Sequence, residues 1–361
     1  MSTTIGSGYG ILPTLIANST NVHQQLDTLT EQASTGLVSQ TYAGLGGEAS
    51  VSLDLNPQLT ALQTYQTDIG QATGSMGVTQ TAMTQIQQIA ANFVADIPNL
   101  NGLDSSEVDS VAAQANAALQ QVADLLDTKD GDNYVFGGQD STNPPVPSPD
   151  SILSSGFYTQ INAAVSSLST NGATATAAAT LAIASSNAAG TSPFSAYMSQ
   201  PASAISAPVV QTGQGGTVQT GLLASGNSVA VSSGSSTTGS YIRDLMRSLA
   251  TLGSLSSSQV NDPGFAALVQ DTGTSLNGAV SAMAVDVGVL GNTQAQLTTT
   301  QTQLSDTATA LTGQLSSVQD VDMAQTISSL TSMQTQLQTS YRLISGATSL
   351  SLVNFLPTTS G

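Results

Sequence analysis

Cysteine is absent from this sequence. Disulfides, thiol nucleophiles and cysteine-held metal sites are excluded with it. Tryptophan is also absent, and aromatic residues make up 4% of the chain. A thick globular core is therefore not expected over much of the length. Thin layers of helices packed with Leu, Val, Met and Ala suit the composition better. A single histidine, His23, cannot build a two- or three-histidine metal site, and any Ser-His-Asp triad would depend on it. It is read as a solvated helix residue. Charge is scarce: 7% of residues carry one, against roughly 25% in an average soluble protein. Lys129, Arg243, Arg247 and Arg342 are the basic residues, against 22 acidic ones. Nucleic-acid binding needs clustered Lys and Arg to displace counterions from phosphates, and a polybasic membrane anchor needs the same residues. Neither is available. No apolar run approaches the roughly 18 residues of a membrane span, so membrane insertion is not expected. The stretch "GILPTLIA" is short, broken by Pro13 and preceded by no cation, so no Sec-type signal is expected.

What the chain does have is helical periodicity. After a lead of residues 1–10, Leu12, Leu15, Val22, Leu26, Leu29 and Ala33 form one stripe of a helix ending near Gly36. Residues 36–56 read as irregular, and Pro57 suits the first turn of the next helix. There Leu62, Ile69, Met76, Met83, Ala90 and Ile97 recur at steps of seven until Pro98 breaks the pattern. Gly70, Gly74 and Gly77 weaken this helix and suit the close approach of a neighbour. A capping pair, Asp104 and Glu107, opens a further stripe to about residue 128. The longest repeat is Leu276, Met283, Leu290, Leu297, Leu304, Leu311 and Val318, with Gln294 and Gln301 interrupting the companion seam. As one helix over 265–318 it would be about 80 Å long and would need long partners. The repeat restarts at Met323 and continues through Leu330, Leu337 and Ile344, with Ile327 and Tyr341 between. Sustained heptads mean helix against helix.

The middle differs. "KDGDNYVFGG" reads as a short hairpin, and "NPPVPSP" as a rigid linker. Residues 151–242 hold no Asp, Glu, Lys or Arg. They read either as low complexity or as a small variable domain of short strands and helices, with "SVAVSSGSSTTGS" as an edge strand and loop. The fold expected is mainly α: a long antiparallel, heptad-patterned bundle formed by both chain ends, with a small variable central insertion. The parts are a lead (1–10), an N-terminal helical part (11–130), a hairpin and central domain (131–240), and a C-terminal helical part (241–361).

No catalytic, cofactor or metal site emerges. "DTKDGDN" fails the calcium-loop ladder, with Lys129 at the third place from Asp127 and Gly138 at the twelfth. Asp320 and Asp322 lie on different sides of a helix, poor geometry for shared acid–base work. Asp322 suits the N-cap of the last helix.

Four stretches resemble the flagellin superfamily, which comprises flagellins and the hook–filament junction proteins (hook-associated protein 3). They are "LDTLTEQASTG" (26–36), "YAGLGGEASVSLDLNPQLTALQTYQTDI" (42–69), "SSVQDVDMAQTISSLTSMQTQLQTSYRLIS" (316–345) and "LSLVNFL" (350–356). "NYVFGG" (133–138) is more similar to the junction proteins than to the filament subunit. The sequence departs from the family in replacing most helix Arg and Lys by Gln, Thr and Ala, which puts the inter-subunit ion pairs of relatives in doubt. The resemblance implies a structural subunit of the bacterial flagellum, exported unfolded by the type III route and assembled outside the cell. Its partners would be like subunits, other hook-associated proteins and flagellin, with an export chaperone on the C-terminal helix before assembly. A filament flagellin is the alternative within the family. A secreted coiled-coil adhesin or surface-layer protein is the alternative of another class. The seam expected to serve core and assembly is Leu12, Leu15, Val22, Leu26, Leu29, Leu62, Ile69, Met76, Met83, Leu290, Leu297, Leu304, Leu311, Val318, Met323, Ile327, Leu330, Leu337, Tyr341, Ile344, Leu352, Phe355 and Leu356. No cofactor is called for. A surface that owes little to ion pairs should also change little as carboxylates protonate, which would suit acidic surroundings.

Overall fold

The computed structural model describes residues 11–100, 105–232 and 236–349. The fold is mainly α, with terminal helices packed together and a small central insertion. The elements in chain order are α1 (Ile11–Thr35), α2 (Ala49–Leu100), α3 (Ser105–Leu126), β1 (Lys129–Asp130), β2 (Asn133–Tyr134), α4 (Gly156–Ser166), α5 (Leu168–Ser185), β3 (Val209–Gly213), β4 (Gly216–Gln219), α6 (Tyr241–Gly253), α7 (Phe265–Gln319) and α8 (Met323–Ser349). The described residues fall into two compact units: those up to Leu62 with those from Asp306 onward, and those from Gln63 to Ser305.

In the first unit α1 pairs with α8. Gly36 ends α1 at φ +75°, a left-handed value that costs a side chain with Cβ but not glycine. Its N–H bonds back to the Gln32 carbonyl at 2.8 Å. The chain leaving α1 is then laced to the joint between α7 and α8. Val38 N–H donates to the Gln319 carbonyl (2.7 Å), and Val321 N–H donates to the Gly36 carbonyl (2.9 Å). Asp322 caps α8, its Oδ1 accepting from Ala324 N–H (2.9 Å) and Gln325 N–H (3.1 Å).

The helix expected from Pro57 begins at Ala49 instead. Ser52, Leu55 and Leu59 are buried on one face, so the helical period extends upstream of the proline. Proline there gives no N–H to the carbonyl four residues back. One residue earlier, Asn56 turns its side-chain amide onto the Ser52 carbonyl at 2.8 Å. At the other end α2 runs through Pro98 to Leu100, which is buried with Ile97.

In the second unit α2 and α7 run antiparallel. Gln294 Nε2 donates to the Thr73 carbonyl and Gln301 Nε2 to the Gln66 carbonyl, both at 3.1 Å. The two glutamines that interrupt the heptad are therefore cross-links. The glycines opposite them let the helices approach. A Cβ on Gly70 would sit 3.3 Å from Gln301 Nε2, and one on Gly77 would sit 3.8 Å from Gln294 Nε2. The relation is reciprocal, because the Gln80 amide lies over Gly291. Outer faces without charge are served by threonine. Thr298, Thr299, Thr300 and Thr302 each return a hydroxyl to the carbonyl four residues back, at 2.9–3.1 Å.

The core of this unit is α6, buried along its whole length against α3, α4 and α5. Around it the central region is folded. Residues 145–146, expected in a linker, pack inward. Val146 is buried and donates its N–H to Asp127 Oδ1 at 2.9 Å, and the Pro145 carbonyl accepts from Ser195 N–H at 2.8 Å. Burial, reinforced by Asp124, pushes the Asp127 carboxyl up to about 6, with the Val146 N–H and Lys129 pulling the other way.

The expectation of an edge strand over 228–240 is corrected. The ladder is elsewhere, in the antiparallel pair β3–β4. The amides of Ser228, Val229 and Ala230 go instead to one buried carboxylate, Asp286 of α7, at 2.7, 3.0 and 2.9 Å. The uncharged segment is gripped along its length by charges from helices. Arg243 Nε donates to the Ser225 carbonyl, Arg247 donates to Ser236, and Asp244 accepts from Thr237 and Thr238. Arg243 is buried over the Phe194 ring, and burial lowers its pKa.

Candidate assembly surface

Sustained heptads commit each helix to a partner, so the informative residues are those the folded chain leaves uncovered. In the second unit the seam is satisfied internally: Ile69, Met76, Met83, Leu290 and Leu297 are buried, and Leu304 is half-buried. In the first unit it is not. Val22 is buried, but Leu26, Leu29, Leu62, Leu311, Val318, Leu330, Leu337 and Ile344 are half-buried. Met323, Ile327 and Tyr341 are 40%, 50% and 48% exposed. Among the described side chains of α8 only Thr326 is buried. Leu12 and Leu15 lie on α1 with side chains outside those described. Leu352, Phe355 and Leu356 lie outside the described residues, as does Asp104 of the expected capping pair.

His23 Nε2 and Tyr341 Oη are 2.9 Å apart, with the rings edge to face at 6.4 Å. The single histidine therefore has a partner 318 positions away, which its reading as a solvated residue did not anticipate. A shallow groove of about 600 Å³ runs between the helices, lined on one side by Gln24, Thr28 and Leu29 and on the other by Ser329 and Met333. Its walls are amide, hydroxyl and methyl groups, suited to packing rather than to proton transfer.

Other uncovered apolar residues of this unit are Ile16, Tyr42, Val51, Leu53 and Leu343. Val51 and Leu53 were hidden from sequence reasoning because 36–56 read as irregular. Their helical spacing relative to buried Ser52 and Leu55 was the available signal. No cluster of His, Asp and Glu able to hold a metal occurs among the described residues. None of the described helices is long and apolar enough to cross a membrane.

Residues 13–140 match the family described as the bacterial flagellin N-terminal helical region, and residues 274–356 match the bacterial flagellin C-terminal helical region. Together the matches take in α1 to α3 and almost all of α7 and α8, while the central helices and the β3–β4 hairpin fall between them. No curated protein matches the chain. With both helical regions matched, in that order and over more than half of the chain between them, the chain belongs to the flagellin superfamily of structural flagellar subunits.

Proposed function

We propose that this chain is an axial subunit of the flagellum placed at the hook–filament junction, where its terminal helices pack against like subunits and against neighbouring hook-associated proteins and flagellin. The observation that carries the assembly reading is α8, a 27-residue helix with heptad apolar residues of which none described is buried. A helix shaped for partners and supplied with few by its own chain needs others. In this reading Ile69, Met76, Met83, Leu290 and Leu297 hold the subunit together. Met323, Ile327, Tyr341 and the half-buried positions beside them, with Leu12, Leu15, Leu352, Phe355 and Leu356, meet neighbours. Residues 11–130 and 241–361 supply the helical core and 131–240 the variable part. The subunit leaves the cell by flagellar type III export, with α8 covered by a chaperone until it assembles.

The junction rather than the filament is favoured by the resemblance of "NYVFGG" to junction proteins. In the structure this piece opens with β2, and its own Val135 and Phe136 are buried. The filament reading has its own support, since both matched regions are described as flagellin. Electron microscopy of a strain lacking the gene separates them. Intact hooks, no filaments and filament subunit shed into the medium are the expected result. Finding this chain as the bulk protein of sheared filaments would overturn the junction reading. Normal hooks, filaments and motility in the strain lacking the gene would instead favour a non-flagellar adhesin.

A further inference from the structure

A groove of about 700 Å³ on the second unit lies between β3 and α2. Its β wall is formed by residues 208–211 with Thr220 and Gly221 just beyond β4, flanked by Asp130, Asn133 and Val135, while β4 contributes none of its own residues 216–219. The groove thus reaches β3 without crossing the β4 strand. The pairing shows what that edge offers. Val209, Val210 and Gln211 face Gln219, Val218 and Thr217, and Thr220 N–H donates to the Pro208 carbonyl at 2.8 Å. In an antiparallel ladder bonded pairs alternate, so 208/220 and 210/218 are bonded to each other. The N–H and C=O groups of Val209 and Gln211 then point away from β4. The side chains alternate in step. Val210 is buried, Val209 is 63% exposed and Gln211 is exposed.

The opposite wall is unusually low. Between Asp68, Gln71 and Thr79, α2 presents Gly70, Ala72, Gly74 and Ser75 there, and a Cβ on Gly74 would meet nothing within 4 Å. A backbone can come close to such a wall. An open strand edge facing a low wall is the geometry of strand addition, in which main-chain bonds give affinity and alternate side chains give specificity.

The charges choose the partner. Asp68 and Asp130 are the charged groups of the groove. A second copy of this chain cannot answer them with an extended segment. Arg243 and Arg247 are buried, Lys129 sits 4.5 Å over the Tyr134 ring, and Arg342 lies within the helix α8. We propose that this groove binds an extended, Lys- or Arg-bearing segment of a different polypeptide, added as a strand to the outer edge of β3. The proposal stands independently of the junction reading.

The test uses the full chain and a fluorescent, end-capped heptapeptide, Lys-Val-Thr-Val-Thr-Val-Lys, followed by anisotropy. Saturable binding with a midpoint below about 1 mM is expected. The same peptide with Glu at both ends should bind about tenfold more weakly. Replacing its central Val by Pro should abolish binding, because the ladder donor is lost. Gly74→Leu fills the groove at a helix position where Leu is the better former, so the variant folds and should lose the peptide. Asp68→Lys with Asp130→Lys should reverse the preference between the Lys and Glu peptides. The proposal is overturned by no saturation, by equal binding of the proline peptide, or by undiminished binding to Gly74→Leu. Unchanged charge preference in the double variant would overturn the choice of a basic partner.

Discussion

Gln294 crosses from α7 to α2 and donates from Nε2 to the Thr73 carbonyl, seated over Gly77 four residues further along. Gln301 repeats the contact one heptad on, with the Gln66 carbonyl and Gly70. Cβ groups lean toward the helix N-terminus, so the residue at i+4 normally shields the carbonyl of residue i. Glycine at that place uncovers the oxygen for a second donor. Each glycine is thus paired with one carbonyl and one glutamine.

This pairing separates glycines that look alike in sequence. Gly74→Ala, in open space on the same helix, should stabilise the chain by up to about 1 kcal/mol, the usual helix preference for Ala. Gly70→Ala should not, because its Cβ would crowd Gln301 Nε2 and cover the Gln66 carbonyl. Thermal unfolding of the two variants side by side checks this. Equal gains would show that the cross-link contributes nothing.

Asp286 is buried and accepts three consecutive amides, so its loss should be felt over a short stretch of chain. In Asp286→Asn the side-chain amide would face an N–H, and the charge-assisted bonds would be lost. A cost of about 3 kcal/mol is expected. Hydrogen exchange should quicken first at Ser228, Val229 and Ala230. Protection unchanged at these three amides would sink the assignment.

Asp127 gives a pH dependence of definite sign. Burial, which disfavours the charged form, pushes its carboxyl up to about 6 in the folded chain, above its ordinary value of 3.8. The folded state therefore binds the proton more tightly, and this group's contribution to stability rises as pH falls from about 7 through 6 toward 4. Asp124 shifts the same way, again from burial first and then from Asp150. Asp127→Asn keeps an acceptor for Val146 N–H but does not titrate. Its stability should change less than that of the native chain over this window. Parallel stability–pH curves for the two chains would count against it.

Ile327 and Tyr341 are about half exposed, so each should matter more to assembly than to folding. Ile327→Ser should change monomer stability by no more than about 0.5 kcal/mol. Tyr341→Ser also removes the bond to His23 and should cost somewhat more. Both should lower motility and the yield of assembled protein. A large loss of monomer stability in Ile327→Ser would mean that its surface is covered within the chain.

The long helices were legible because a repeat of seven, held from Leu276 to Val318, leaves few alternatives to a helix with long partners. The N-cap at Asp322 was legible for a local reason, since the N–H groups it accepts from lie two and three residues on. What could not be read depended on distant partners. The segment from Ser228 alternates like a strand, but its amides go to a carboxylate 56 to 58 positions away. Gln294 and Gln301 showed as interruptions because the carbonyls they reach carry no sequence signal. Pro57 suits a helix start because that is where proline is best tolerated, while the burial of Ser52 and Leu55 that extends the helix is tertiary. The assembly surface was half legible: the stripe on α8 could be drawn, but not which of its residues the α1 pairing would leave bare.

Two of the four cations, Arg243 and Arg247, are committed to the interior, and the exposed pair is Lys129 and Arg342. The outside of a subunit with net charge −18 is therefore almost purely anionic. Subunits brought side by side repel one another and have little opposite charge with which to bond. Their cohesion must come from apolar and amide contacts that mobile ions do not weaken, while the repulsion is a long-range force that they do screen. Raising ionic strength should then promote association of this protein, the reverse of what an assembly knit by ion pairs would show.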